Sequence, residues 1–308
     1  MTEYFSPLRY PGGKGKLVPF FERLIIDNGL SDGVYIEPYV GGGAVALSLL
    51  MKEYVGRIVI NDKDRSLYAF WHSVLNNPEE LCSLIAETPV NMDTWHTMRD
   101  VQKHKEDADL LTLGFSSFFL NRTNRSGILK AGVIGGYEQT GNYKIDARYR
   151  KENLISRIRR IATYADRIEL HNEDAVDLVA DIAQTATPDT LLYLDPPYYK
   201  KGQGLYMNYY NDSDHTQICD VISKVNALHW VVSYDNSAFI KDLYKDFRSQ
   251  EFELNYSANN NGKGTEVMFF SENCRLTEEM FNNLHISLGV NKKRITNLFN
   301  SMEISQPQ

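Results

Sequence analysis

The sequence predicts an α/β protein that opens with a Rossmann-like βαβ unit, and three observations lead there. Val34-Tyr35-Ile36-Glu37-Pro38 reads as a strand ending in an acid and a proline, followed by the turn Gly41-Gly42-Gly43 and the apolar helix from Ala44. A second strand, Arg57 to Asn61, ends in Asp62 and Asp64, about twenty residues after the glycines, the layout of a nucleoside-binding unit. Leu191-Leu192-Tyr193-Leu194 is a short apolar run of the kind buried on both faces of a sheet, and Asp195-Pro196-Pro197 stops it, since neither proline has an N–H for the ladder.

Composition sets the frame. The chain has 308 residues, 43% hydrophobic and 24% charged, ordinary values for a water-soluble globular protein with a full core. No apolar run reaches membrane-spanning length, and the Met-Thr-Glu-Tyr-Phe start lacks the basic and apolar blocks of a signal peptide. Cys82, Cys219 and Cys274 lie far apart, which argues against a zinc knuckle or a disulfide frame and fits a reducing, cytoplasmic location. No metal and no membrane partner is expected.

Taken in order, Tyr10-Pro11-Gly12-Gly13-Lys14 is a glycine-rich entry to a helix over 17–26, in which Lys14 is placed to pair with a carboxylate. Neither its spacing nor its context matches a nucleotide P-loop. Glu37 and Pro38 precede Gly41 and Gly43 on the next loop; a carboxylate there repels a pyrophosphate and suits a cationic ligand, such as the amino or sulfonium group of S-adenosylmethionine. Asp62, after the second strand, is placed for a ribose diol. The stretch 66–108 is mainly helical, with Trp71 and Trp95 as packing residues, and 110–120 is a buried helix. Asn121 to Tyr137 reads as loop or hairpin, then 144–164 as a helix with arginines on its outer face. Asp174 follows a strand over 168–171 and suits a nucleoside amine, a helix N-cap, or both. Beyond the central motif, 200–214 is a polar, Tyr-rich loop, 218–228 a helix, 229–235 a strand and 239–247 a helix. Segments 252–256 and 266–270 pair as a closing hairpin, 276–299 holds short helices, and 301–308 frays.

Charge is uneven. The net charge is −7, yet Asn121 to Arg167 carries eleven Lys and Arg against four acids, a local +7. Only local charge meets a phosphate, so Asn121, Arg122, Asn124, Arg125, Lys130, Lys144, Arg148 and Lys151 are candidate DNA contacts. Lys144, Arg148 and Lys151 suit phosphates, and at least one of Arg122 and Arg125 suits a base edge.

The chemistry concentrates at Asp195-Pro196-Pro197-Tyr198. A planar amine such as that of adenine has two in-plane N–H donors. Asp195 and the Pro196 carbonyl are placed to accept one each while Tyr198 stacks on the ring, which leaves the nitrogen lone pair aimed at an electrophile.

Together, Tyr10-Pro-Gly-Gly-Lys14, Glu37-Pro-Tyr-Val-Gly-Gly-Gly43, Ile60-Asn-Asp62, Leu120-Asn-Arg-Thr123 and Asp195-Pro-Pro-Tyr198 resemble, in that order, the Dam-like N6-adenine DNA methyltransferases over roughly residues 7 to 271. The resemblance implies a Rossmann-like S-adenosylmethionine-dependent methyltransferase fold, with a mostly parallel seven-stranded sheet carrying one reversed strand. It implies a catalytic domain over 1–65 and 165–272, an inserted, mainly helical target-recognition domain over 66–164, and a C-terminal extension over 273–308. Tyr10, Lys14, Asp62 and Asp195 would lie at or near the cofactor, and Asp195 to Tyr198 would hold a flipped adenine of double-stranded DNA. The segment after Thr123 departs from the GATC-reading members, so the recognition sequence stays open. A monomer is expected, either solitary or beside a cognate restriction nuclease. Competing readings are an RNA or protein-amide methyltransferase with the same amine-holding motif, a dinucleotide oxidoreductase (disfavoured by Glu37-Pro38 before the glycines), and a non-catalytic DNA-binding protein.

Overall fold

The computed structural model describes residues 4–9, 14–199, 210–255 and 263–282. Seven strands form one sheet in the order β3-β2-β1-β4-β5-β7-β6: β1 (Val34–Glu37), β2 (Arg57–Asn61), β3 (Ile168–His171), β4 (Thr190–Leu194), β5 (His229–Asp235), β6 (Arg248–Asn255) and β7 (Lys263–Phe270). The first five are mutually parallel, whereas β7 runs antiparallel to both β5 and β6. This is the mostly parallel sheet with a reversed strand that the family resemblance implies.

Side chains alternate between two apolar layers along every central strand. Tyr35, Ile58, Leu191, Tyr193 and Val231 face one, and Ile36, Val59, Leu192, Leu194 and Val232 face the other, as the period of two requires. Helices α1 (Val18–Asp27), α2 (Ala44–Met51), α3 (Arg65–Asn76), α4 (Pro78–Glu87), α5 (Met92–Lys103), α6 (Leu110–Thr123) and α7 (Lys151–Ala162) contribute to the first layer. Helices α8 (Ala175–Thr185), α9 (Asp212–Ile222) and α10 (Ala238–Leu243) cover the second. The short α11 (Glu278–Asn282) returns Phe281 onto Phe20 of α1. The helical stretch 66–164 therefore shares a continuous core with the start of the chain: Phe70, Trp71, Phe118 and Leu154 belong to the same cluster as Phe20 and Tyr35.

Element ends follow side-chain chemistry. Asp64, Asn91, Asp109, Asp174 and Ser237 each cap a helix by accepting from a backbone N–H, satisfying donors that a helix start leaves open. A capping box between Asn211 and Asp214 starts α9 at Asp212, so the helix occupies 212–222 instead of 218–228, and residues 210–214 are not all loop. The remainder of the predicted Tyr-rich loop, 200–209, lies outside the described residues, as do 283–308. The C-terminal hairpin forms with longer strands than its apolar runs suggested.

The largest departure is at 121–150. Helix α6 continues through Asn121, Arg122 and Thr123, and α7 starts only at Lys151. Between them lies a looped segment with one antiparallel bridge, Asn124 to Val133. Asn124 is fully buried. Its Oδ1 accepts from Trp95 Nε1 at 2.7 Å, and its Nδ2 donates to the Ile128 and Leu129 carbonyls at 3.1 and 2.9 Å. Replacing Asn124 by Ala leaves buried Trp95 Nε1 without its acceptor, while the Ile128 and Leu129 carbonyls keep the Ala131 N–H and Arg99 as donors, and is expected to cost roughly 1–3 kcal/mol of unfolding free energy in urea titrations. A loss of DNA binding with stability intact would instead return Asn124 to the DNA surface.

Candidate active site

The sheet brings the polar loop ends to one edge. Strand β1 is flanked by β2 and β4, so the chain leaves β1 toward one side while β4 continues the sheet on the other. A crevice opens at such a reversal, beyond the carboxyl ends of the strands. Glu37 ends β1, Asn61 and Asp62 end β2, Asp174 follows β3, Asp195 follows β4 and Asp235 ends β5. Because β7 is reversed, its first half reaches this same edge, and Glu266 pairs in register with Asp235.

Lys14 is the hub. Its buried ammonium lies 3.0 Å from Asp195 Oδ1 and 2.9 Å from Glu266 Oε2, and it donates to Tyr198 Oη at 3.0 Å. Tyr198 in turn donates to Glu266 Oε1 at 2.6 Å. Burial opposes the Lys14 charge, but Asp195 and Glu266 outweigh it and hold the pKa well above the usual lysine value. Burial likewise raises Asp195 and Glu266, with Lys14 pulling both back. A second chain arrives from below: Tyr193 Oη lies 2.8 Å from Ser233 Oγ, which donates to Asp195 Oδ1 at 2.8 Å. Both partners thus converge on Oδ1. Among the described residues nothing donates to Oδ2, and the Asp195 side chain is 18% exposed against 4% for Lys14. The carboxylate is rigid on one oxygen and open on the other.

Tyr198 is buried, as are Pro196 and Pro197. Glu37 is buried too; it accepts from the Ala46 N–H at 3.3 Å, and burial and then Asp195 push its carboxyl well above the usual range. The Pro38 carbonyl accepts from Asn61 Nδ2 at 2.9 Å, which ties the β1 and β2 loops together. Gly43 adopts φ +61°, and a Cβ there would stand 3.1 Å from the Trp71 ring, so a side chain at this turn would be strained and glycine is favoured. Trp71, expected to be simple core, also donates to the Gly41 carbonyl at 3.1 Å. Half-buried Asp62 accepts from the Gly41 N–H at 3.1 Å and the Asp64 N–H at 2.9 Å. Burial raises its pKa to about 7 against these hydrogen bonds. Asp174 caps α8 through Oδ1, while Lys63 pairs with its Oδ2 at 2.6 Å, so both oxygens have protein partners. Tyr10 lies outside the described residues.

The predicted DNA contacts divide. Asn121 and Asn124 are corrected: both are buried and satisfied within the protein. Asn121 accepts from the Arg9 N–H at 2.8 Å and donates to the Arg9 and Gly127 carbonyls at 2.7 and 2.9 Å. Arg122 is half-buried, with its guanidinium on the Arg148 and Pro7 carbonyls, so no fork is left to read a base edge. Lys151 donates to the Ala86 and Thr88 carbonyls at 2.6 and 2.9 Å, stapling α7 to the end of α4. Lys144 is exposed and donates to the Gln139 carbonyl at 2.6 Å. Arg148 lies over the exposed Tyr143 ring. Arg125 and Lys130 are exposed, and among the described residues neither side chain has a hydrogen-bond or ion-pair partner.

Glu266 and Ser233 escaped the sequence reading. Each sits inside an apolar strand run, where period two marks only the face and says nothing of a polar partner. A carboxylate in such a run was the one available signal. Removing the hub cation should expose its importance. Lys14→Met leaves buried carboxylates unpaired and is expected to cost roughly 3–5 kcal/mol in urea unfolding at pH 8. The carboxyls bind protons more readily folded than unfolded, so the deficit relative to wild type shrinks as pH falls and their charges are neutralised. A deficit that is the same at pH 8 and pH 5.5 would rule out this charge balance.

The chain is 26% identical over 262 residues to the Type II methyltransferase M.MjaIII of Methanocaldococcus jannaschii, covering 78% of this chain and 88% of that one. Solved structures with weaker likeness include the rRNA methyltransferase aviRa from Streptomyces viridochromogenes, at 12% identity, 82% and 84% coverage of the two chains and a TM-score of 0.37. Another is protein LPL1258 from Legionella pneumophila, at 13% identity, 87% and 88% coverage and a TM-score of 0.35; at these scores neither carries an argument. The family model for D12 class N6 adenine-specific DNA methyltransferases matches residues 10–258, and the chain belongs to that family.

Proposed function

We propose that the chain methylates N6 of an adenine flipped out of duplex DNA, with S-adenosylmethionine as methyl donor and Asp195 Oδ2 as the atom that holds the amine. The open Oδ2 carries this reading. Lys14 and Ser233 pin the other oxygen, so the carboxylate presents one oriented acceptor at the sheet edge. The amine gives one N–H to Oδ2 and the other to the Pro196 carbonyl, and its lone pair is then directed away from the ring. Flipping costs a few kcal/mol, met by stacking and hydrogen bonds in the pocket. Tyr198, tied by its hydroxyl to Glu266 and Lys14, offers a ring whose position is set before the base arrives.

The residues present fit the cofactor. Glu37 and Glu266 are buried acids and Asp195 a partly buried one, gathered around the buried cation Lys14, so the site favours a further positive charge such as a sulfonium or an ammonium. When bound, S-adenosylmethionine supplies an electrophilic methyl group, which leaves positioning to the protein. The Gly41–Gly43 turn gives close backbone approach, Asp62 is placed for the ribose diol, and Glu37 faces the cationic part. After transfer the methylated nitrogen sheds a proton, and Asp195 Oδ2 lies on it. The loop 124–150, with Arg125 and Lys130 exposed, is the part of 66–164 suited to reading neighbouring base pairs.

Asp195→Ala is expected to lower methyl transfer to unmethylated plasmid DNA by roughly 10²–10³-fold, while calorimetry still detects cofactor binding. Retention of a tenth of the wild-type turnover would remove Asp195 from the chemistry. For Asp62, ionisation strengthens acceptance from the diol, and half-ionisation at about pH 7 sets the window. Wild-type affinity for S-adenosylmethionine should therefore tighten relative to Asp62→Asn between pH 6 and pH 8. The gap at the upper end should reach roughly 1.5–3 kcal/mol. A ratio of affinities that is flat across that range would place the diol elsewhere.

A further inference from the structure

Several arginines of this acidic chain are neutralised: Arg23 pairs with Asp27, Arg57 with Glu169, Arg159 with Glu79 and Arg167 with Glu53. Four that gather in one place are not. Arg9, Arg122, Arg148 and Arg157 gather around the Ser6–Arg9 segment, and among the described residues none of them has a carboxylate partner. Arg157 donates to the Ser6 carbonyl at 2.9 Å, Arg122 to the Pro7 and Arg148 carbonyls, and Arg9 to the Asn124 carbonyl at 3.2 Å. These bonds orient the guanidiniums but do not require charge, since neutral donors would serve the carbonyls without mutual repulsion. Burial and then Arg9, Arg157 and Arg148 lower the Arg122 pKa to about 10, and burial followed by Arg148 lowers that of Arg9. Proteins bring like charges together where a counter-charge arrives from outside.

The cluster is also held close to the chemistry. Gly127, at φ +78°, lies so near Arg9 that an added Cβ would stand 2.2 Å from its carbonyl oxygen. That contact presses the recognition loop onto the segment that leads to Lys14. Arg9 and Lys14 are five residues apart, at most roughly 18 Å even fully extended, and Lys14 is bonded to Asp195.

We propose that Arg9, Arg148 and Arg157, with the charge of Arg122 behind them, form a phosphate clamp that grips the DNA backbone beside the flipped nucleotide. This rests on the DNA-methylating reading above and assigns the clamp to backbone contact, not to base reading. Arginine suits the task, because its fork meets phosphate oxygens in pairs. The clamp therefore contributes affinity and register without sequence choice.

The test is the salt dependence of KM for unmethylated plasmid DNA, measured with tritiated S-adenosylmethionine, for wild type, Arg157→Gln and Arg148→Gln. Arg148→Gln keeps the backbone carbonyl that Arg122 uses and loses only the contact with Tyr143, so it tests the charge even where Arg157→Gln fails to fold. Each substitution is expected to flatten the slope of log KM against log salt by about one and to leave the methylated sequence the same. An unchanged slope in a folded variant overturns the clamp, and so does an altered methylated sequence, which would mean base reading. A wild-type chain that methylates no DNA overturns the underlying reading, an outcome distinct from either.

Discussion

One buried ammonium organises this molecule. Lys14 has three N–H donors and spends them on Asp195, Glu266 and Tyr198, so a residue near the start of the chain closes the site formed by β4 and β7. A buried charge of this kind is tolerable only when it is paired and hydrogen-bonded, which makes the arrangement mutually dependent. Without Lys14 the two carboxylates repel; without them Lys14 would be stranded. The reversal of β7 is what makes the contact possible. Run parallel to its neighbours, the strand would carry Glu266 to the far edge of the sheet.

The same network explains how Asp195 can be both rigid and available. Lys14 and Ser233 hold one oxygen, and the prolines that follow fix the backbone. The cost is a crowd of carboxyl groups in one place, among them Glu37, which burial and then Asp195 push toward its neutral form. A cationic ligand of the kind proposed would be complementary to these carboxyls.

One patch outside has the opposite sign. The net −7 of the chain hides Arg9, Arg122, Arg148 and Arg157, which among the described residues have no carboxylate partner. The acids at the sheet edge suit a cation and this patch suits a polyanion, as proposed above. Neither is visible in the net charge, because partners respond to local fields screened within about 10 Å.

Much of this was legible in the sequence because it is written locally. Short continuous apolar runs marked β1, β2, β4 and β5, the glycine turn before α2 needed φ values that glycine supplies, and Asp195-Pro196-Pro197 announced a strand stopped beside a carboxylate. Such features depend on neighbours a few residues away, and periodicity and turn chemistry report them directly. What the tertiary structure alone decided was partnership. Lys14 meets Glu266 across 252 residues and Tyr198 across 184, and no local pattern encodes a pairing at that distance. Asn121, Asn124 and Arg122 looked like surface readers of DNA, since an amide or a guanidinium has the same sequence signature whether it faces solvent or a backbone carbonyl. Packing settled it: α6 runs on through Thr123 and turns these polar groups onto Arg9, Gly127, Trp95 and Arg148, where burial demands that their hydrogen bonds be met inside the protein.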